Sequence, residues 1–204
     1  VSCVALQTDA PAEAYLQLTE IIDFDHPLLQ DYLRSNLPAC RDQEEIVKET
    51  FEFVRDQVAH SWDILSDRVT LMASDVLKYR EGICYAKSHL LAALLRGMGI
   101  PTGFCYQKLI LFDTPAEGYA VHGLNAVYLP AERKWIRLDA RGNKPGVDAQ
   151  FSIDEEKLAF PVRPELGEVD YLVNYAEPHP KIVDCLSRHK NADEMYRCGL
   201  PAEL

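Results

Sequence analysis

The segment that most constrains this chain runs from residue 81 to residue 101. Gly82 reads as a tight turn and Cys84 falls on the first turn of a helix. Leu90, Leu91, Leu94, Leu95 and Met98 recur at three- and four-residue spacings, so the helix is expected to bury one broad face. Gly99 is suited to a left-handed terminator, and Pro101 forbids continuation. A thiol on the first turn of a buried helix meets unpaired backbone N–H groups and the positive end of the helix dipole. Both favour a thiolate. Cys84 is therefore the candidate nucleophile.

The flanking sequence predicts how that helix is covered. Residues 14–22 partly alternate and suit a strand or a short helix, with the strand preferred. Asp25-His26-Pro27 reads as the cap and first turn of a short helix over residues 28–33. Asp42 with Glu45 makes a capping-box-like start. The helix it opens carries Ile46, Val47, Thr50, Phe51, Val54 and Val58 on one face and is expected to end near residues 60–63. Ser74 is expected to cap a short helix through Val76, Leu77 and Tyr79. After Pro101 the period changes. Residues 102–112, 124–129 and 134–138 are rich in strand formers, with a turn at Pro130. Helices followed by a meander predict an α+β fold in which the Cys84 helix packs on an antiparallel sheet. Beyond Asp139, glycine and proline predict an irregular course, with a further strand at 158–162 and short helices at 181–188 and 193–197. The expectation is one domain over residues 1–204, with its core at about 42–162 and extensions on both sides.

Composition narrows the function. At 48% hydrophobic residues the chain is expected to fold. A net charge of −11 with no basic cluster argues against a nucleic-acid partner. The cysteines, at positions 3, 40, 84, 105, 185 and 198, include no CxxC pair and match neither a disulfide scaffold nor a zinc site. Reduced thiols in a cytoplasmic protein are expected. No apolar run is long enough to span a bilayer, so no membrane partner is expected. The N-terminus lacks the charged and apolar regions of a signal peptide; its not being Met leaves open the removal of a segment.

A thiol becomes a competent nucleophile when a base takes its proton and a third group orients that base. His122 lies at the start of the second expected strand, and Asp139 ends the third. Pairing across the Pro130 turn would place them at one end of the sheet, where the N-terminus of the Cys84 helix could meet His122. The backbone N–H of Cys84 would then serve as one oxyanion donor.

These blocks carry a resemblance. Gly82-Ile83-Cys84 with the helix ending Leu94-Leu95-Arg96-Gly97-Met98-Gly99-Ile100-Pro101 resembles the nucleophile segment of the transglutaminase-like superfamily. The stretch from His122 to Leu129 resembles its histidine strand, and Trp135-Ile136-Arg137-Leu138-Asp139 its aspartate strand. The resemblance implies a papain-like α+β core, with Cys84 as nucleophile, His122 as general base and acid, and Asp139 as orienting carboxylate. Leu124 and Ala126 depart from the aromatic and acidic residues frequent in the histidine block. The accessory β domains of animal transglutaminases have no room here, and no calcium loop is evident. Bacterial members are mostly regarded as peptidase- or amidase-like, and this suits a short chain.

Around the triad, Gln57 is a candidate oxyanion donor by analogy with an upstream glutamine of papain-like enzymes. Its place within an expected helix also suits a solvated polar residue. Trp62 and His60 are candidates for the cleft, with core packing the alternative for Trp62. His89, five positions from Cys84, should turn away from the thiol. Cys105 is expected to be a buried structural thiol, and Glu155-Glu156 a solvated helix start. Arg141 is suited either to a substrate carboxylate or to an acidic partner. The resulting expectation is a cysteine hydrolase acting on amide or peptide bonds of a peptide or protein, with no metal or organic cofactor. Transglutaminase-type transfer to a primary amine and a non-catalytic binding module of the same fold are the alternatives.

Overall fold

The computed structural model describes residues 4–36, 42–111 and 114–204. Cys3, Cys40 and Phe112, the last residue of the expected first strand, lie outside them. The helices are α1 (Pro27–Asn36), α2 (Gln43–Gln57), α3 (Ala73–Tyr79), α4 (Cys84–Gly97) and α5 (Pro180–Arg188), followed by a helical segment over Ala192–Glu194 and Met195–Gly199. The strands are β1 (Gln7–Thr8), β2 (Ala59–His60), β3 (Glu81–Gly82), β4 (Thr102–Ile110), β5 (Tyr119–Leu129), β6 (Lys134–Leu138) and β7 (Val169–Tyr175).

Helix α4 is the centre of the molecule. Every residue from Cys84 to Arg96 is buried, so the expected one-sided burial understates it. A helix enclosed on all sides needs partners for its polar residues. Arg96 donates to the carbonyls of Thr102, Gln17 and Ala176, tying three distant segments to the helix end. His89 turns away from the thiol, as its spacing requires, and its Nδ1 lies 2.8 Å from the Leu71 carbonyl oxygen. Gly99 adopts φ +76° and ends the helix as expected.

The main sheet has the order β1-β7-β4-β5-β6. All its pairs are antiparallel except β1 with β7. Strand β5 pairs with β4 from Tyr119 to Val127, but with β6 only from Asn125 to Leu129. The first half of β5 therefore has an edge open to other groups. There the Val121 N–H donates to the Pro201 carbonyl, and the Tyr85 hydroxyl of α4 donates to the Val121 carbonyl. At Gly123 an added Cβ would lie 2.9 Å from the Tyr85 ring, so the close approach of α4 to β5 needs a glycine there. Asn125 donates to the carbonyls of both Ser88 and Gly103, fastening helix to sheet.

Several local expectations are corrected. The strand expected at 14–22 is absent; Ala12–Leu16 forms a 3-10 helix whose Tyr15 hydroxyl donates to the Asn174 carbonyl. Helix α2 ends at Gln57, before the expected 60–63, because His60 leaves the helix to pair in β2 with Gly82. Asp42 occupies the N-cap position of α2 without a side-chain cap. Ser74 lies inside α3, not at its cap, and its N–H is taken by the distant carboxylate of Asp23. Gly82 belongs to β3, and the turn falls instead at Arg80, with φ +56°. No strand forms at 158–162, and no helix starts at Glu155-Glu156. Glu156 instead pairs with the buried Arg137, which also grips Asp170. Strand β7 lies outside the expected 42–162 core yet sits between β1 and β4.

Candidate active site

The start of α4, the open edge of β5 and the turn after β6 converge on one cleft of about 390 Å³. Cys84, the first helical residue, is 6% exposed and opens onto this cleft. Its position leaves the backbone N–H groups of the first turn without intrahelical partners. His122 also lines the cleft, three residues inside β5 rather than at its start. Its Nε2 lies 2.8 Å from Oδ2 of the fully buried Asp139. The ring packs edge-on against Phe160, with centroids 5.2 Å apart. With Nε2 committed to Asp139, Nδ1 is the nitrogen left for the thiol.

Electrostatics follows from this arrangement. Burial works against a charged imidazole. The Asp139 carboxylate and the Cys84 sulfur outweigh it, by charge and by hydrogen bonding, and push the His122 pKa up to about 10. Burial alone would raise Asp139 in turn, but the His122 imidazolium holds it below the usual carboxylate range. The backbone N–H groups of Ala159 and Arg141 add to this, donating to its two oxygens at 3.0 and 3.2 Å. The Asp139 carboxylate is thus fixed on three sides.

The cleft walls come from several segments. Leu109, Ile110, Ala120 and Val121 form an apolar wall from β4 and β5. Trp62 and His60 also line the cleft; Trp62 is 37% exposed, so it is not core. His60 is buried, and its pKa is driven well below the usual value by burial first and then by the Arg141 charge. Arg141 pairs with Asp63 through both terminal nitrogens, at 2.5 and 2.9 Å, and Lys144 reaches the same carboxylate. Burial would raise Asp63, yet these two cations hold it well below its ordinary range. The structure therefore gives Arg141 an acidic partner at the cleft's rim.

Gln57 is brought nowhere near the thiol. It is the exposed last residue of α2 and lies outside the cleft lining, so it supplies no oxyanion donor. Cys105 is fully buried in β4, and burial pushes its pKa up to about 12. Cys84, Cys105, Cys185 and Cys198 are all free thiols. Among the described residues no cluster of three or more His, Cys, Asp or Glu side chains could hold a metal ion, and no helix is long and apolar enough to cross a membrane.

Two features escaped the sequence reading. Lys87, one turn after Cys84, is fully buried and donates to the Arg55 and Val58 carbonyls at the end of α2. Its apolar neighbourhood lowers its pKa to about 7. Tyr196, from the C-terminal helical segment, joins the cleft wall. The helical spacing of the α4 leucines conceals the first. The second lies more than a hundred residues beyond Cys84, where no local signal could link them.

Comparison with known proteins settles the family. The sequence pattern of the transglutaminase-like superfamily matches residues 31–140, just over half of the chain. The chain belongs to the transglutaminase-like superfamily. Its α+β core is accordingly of the papain-like kind. No curated protein matches the chain in sequence. Among solved structures, a Cytophaga hutchinsonii protein proposed to be a cysteine protease matches with TM-score 0.51 and 20% identity, covering 67% of this chain and 46% of its own. The periplasmic domain of TgpA from Pseudomonas aeruginosa matches with TM-score 0.46 and 21% identity, covering 65% and 48%. The chain therefore spans less than half the length of either structure, and at these identities the first likeness speaks for the fold alone. Cys84, His122 and Asp139 all fall inside the matched family region, whereas Tyr196 lies outside it.

Proposed function

We propose that this superfamily member is a cysteine hydrolase acting on amide or peptide bonds. The observation that carries the reading is that Cys84 and His122 line one cleft at the N-terminus of α4, with the buried Asp139 held behind the His122 ring. Asp139 keeps the His122 ring oriented, which leaves Nδ1 for the sulfur. The thiolate attacks the substrate carbonyl carbon, an S–C bond forms, and the carbonyl electrons move to oxygen. The backbone N–H of Cys84 stabilises that oxyanion. Collapse breaks the C–N bond, and the imidazolium gives its proton to the departing amine. Water, deprotonated by the neutral His122, then cleaves the thioester and restores the thiol.

A primary amine could replace water in the last step with no change of residues, which is the transglutaminase-type alternative. Incubation with a peptide library, with and without a labelled primary amine, distinguishes them. Hydrolysis predicts cleaved or deamidated peptide at a rate insensitive to the amine, and none with Cys84→Ala. Amine-dependent incorporation of label would favour transfer. Absence of any acyl-enzyme by intact-mass spectrometry, in every arm, would contradict both.

A further inference from the structure

Two buried polar atoms at the cleft have no hydrogen-bond partner, His60 Nδ1 and the Tyr196 hydroxyl. Burying a hydroxyl without an acceptor is unfavourable, so a fold that keeps one needs a reason. Tyr196 is held firmly in place. Its ring meets Trp62 edge-on at 4.9 Å and His60 at 6.4 Å, and all three line the cleft beside Cys84. The following residues fix the segment: the Pro201 carbonyl accepts from the Val121 N–H at 2.8 Å, one residue before His122. The hydroxyl oxygen lies toward the Trp62 backbone amide, which can only donate to it. Its own proton therefore needs an acceptor, and none among the described residues supplies one, the Cys84 sulfur included. Burial and the Cys84 charge both keep the phenol protonated.

We infer that Tyr196 is a catalytic residue, donating its hydroxyl proton in a hydrogen bond to the oxyanion formed when Cys84 attacks the substrate carbonyl. The missing acceptor is an oxygen that bears negative charge only in the tetrahedral intermediate. Tyr196 would thus be the second oxyanion donor, beside the Cys84 N–H, in the role that Gln57 is too far away to fill. No proton changes hands in this step. The hydroxyl stabilises the oxygen while the S–C bond forms, and the contact weakens as the C–N bond breaks. The donor comes from the C-terminal segment, outside the matched family region. The inference rests on the cysteine-hydrolase reading.

The test compares two reactions of the same thiol in Tyr196→Phe, which keeps the ring packed on Trp62. Acylation by p-nitrophenyl acetate passes through an oxyanion, whereas alkylation by iodoacetamide does not. Loss of one oxyanion donor predicts acylation slower by about 100-fold. Alkylation should stay within about twofold, with an unchanged pH profile. Equal losses in both reactions would make Tyr196 a support for the thiol or the fold, and unchanged acylation would leave it without a role; either overturns the inference. Failure of the hydrolase reading is seen separately, as wild-type protein whose Cys84 is not acylated at all, and the inference would fall with it.

Discussion

His122 and Asp139 are seventeen residues apart in sequence, yet Nε2 of one lies 2.8 Å from Oδ2 of the other. The register of β5 and β6 explains this. Asn125 pairs with Leu138, so Asp139 leaves β6 on the same sheet face as His122 and just beyond the last paired residue. One strand slip would send either side chain to the opposite face.

This pairing predicts a protonated ring. The His122 pKa of about 10 depends on Asp139, so Asp139→Asn should leave burial as the stronger influence and lower it. Imidazole NMR shifts should show His122 charged throughout pH 6–9 in the wild type and titrating well below that in the variant. The folded pKa is raised above the unfolded value of about 6.5. The stabilisation is therefore complete below about pH 6.5 and lost as pH rises through about 10. Wild-type stability should exceed that of Asp139→Asn more at pH 6.5 than at pH 10. An unchanged histidine titration in the variant would contradict the pairing.

His89 gives the opposite sign. Burial holds its pKa at about 4, below the unfolded value of about 6.5. The stability tied to its neutral ring is complete above about pH 6.5 and lost as pH falls toward 4. Urea unfolding at pH 7 and pH 4.5 should show a smaller acid loss in His89→Gln, which keeps a donor for the Leu71 carbonyl without titrating. Equal losses would argue that the ring is charged or solvated.

Arg96 is expected to be the most sensitive polar residue of α4. It is 3% exposed, and its guanidinium satisfies carbonyls from three segments. Arg96→Leu strands them and should cost about 3 kcal/mol or more by chemical denaturation. A loss below about 1 kcal/mol would mean that the carbonyls find other donors.

Lys87 links stability to the cleft. Its Nζ holds the end of α2, from which the chain passes directly to His60 and Trp62. Lys87→Met leaves the Arg55 and Val58 carbonyls unpaired. It should destabilise by about 2 kcal/mol and reduce Cys84 acylation more than its iodoacetamide alkylation. Full activity in a destabilised variant would confine Lys87 to a structural role.

The Cys84 helix and the β4–β6 meander could be read from sequence because periodicity, glycine and proline act locally. Their resemblance to one family joined them in space. What escaped was set by tertiary partners. Ala12–Leu16 folds as a 3-10 helix so that Tyr15 can reach Asn174, which outweighs a weak alternation. β7 is partly covered on both faces and flanked by proline and glycine, so its strand character depends on pairing with β4. Gln57 was suggested by analogy alone, and its helical position suited the solvated residue it is, exposed at the end of α2. Tyr196 carries no sequence sign of its neighbour Trp62, since their contact is a property of the folded chain alone.

The most direct test of the central claim is site-resolved alkylation by iodoacetamide near pH 7, read by mass spectrometry at each cysteine. The account predicts that Cys84 reacts far faster than the buried Cys105 and Cys185, and that His122→Ala abolishes this advantage. A Cys84 that reacts no faster than an ordinary thiol, or equally fast without His122, would contradict it.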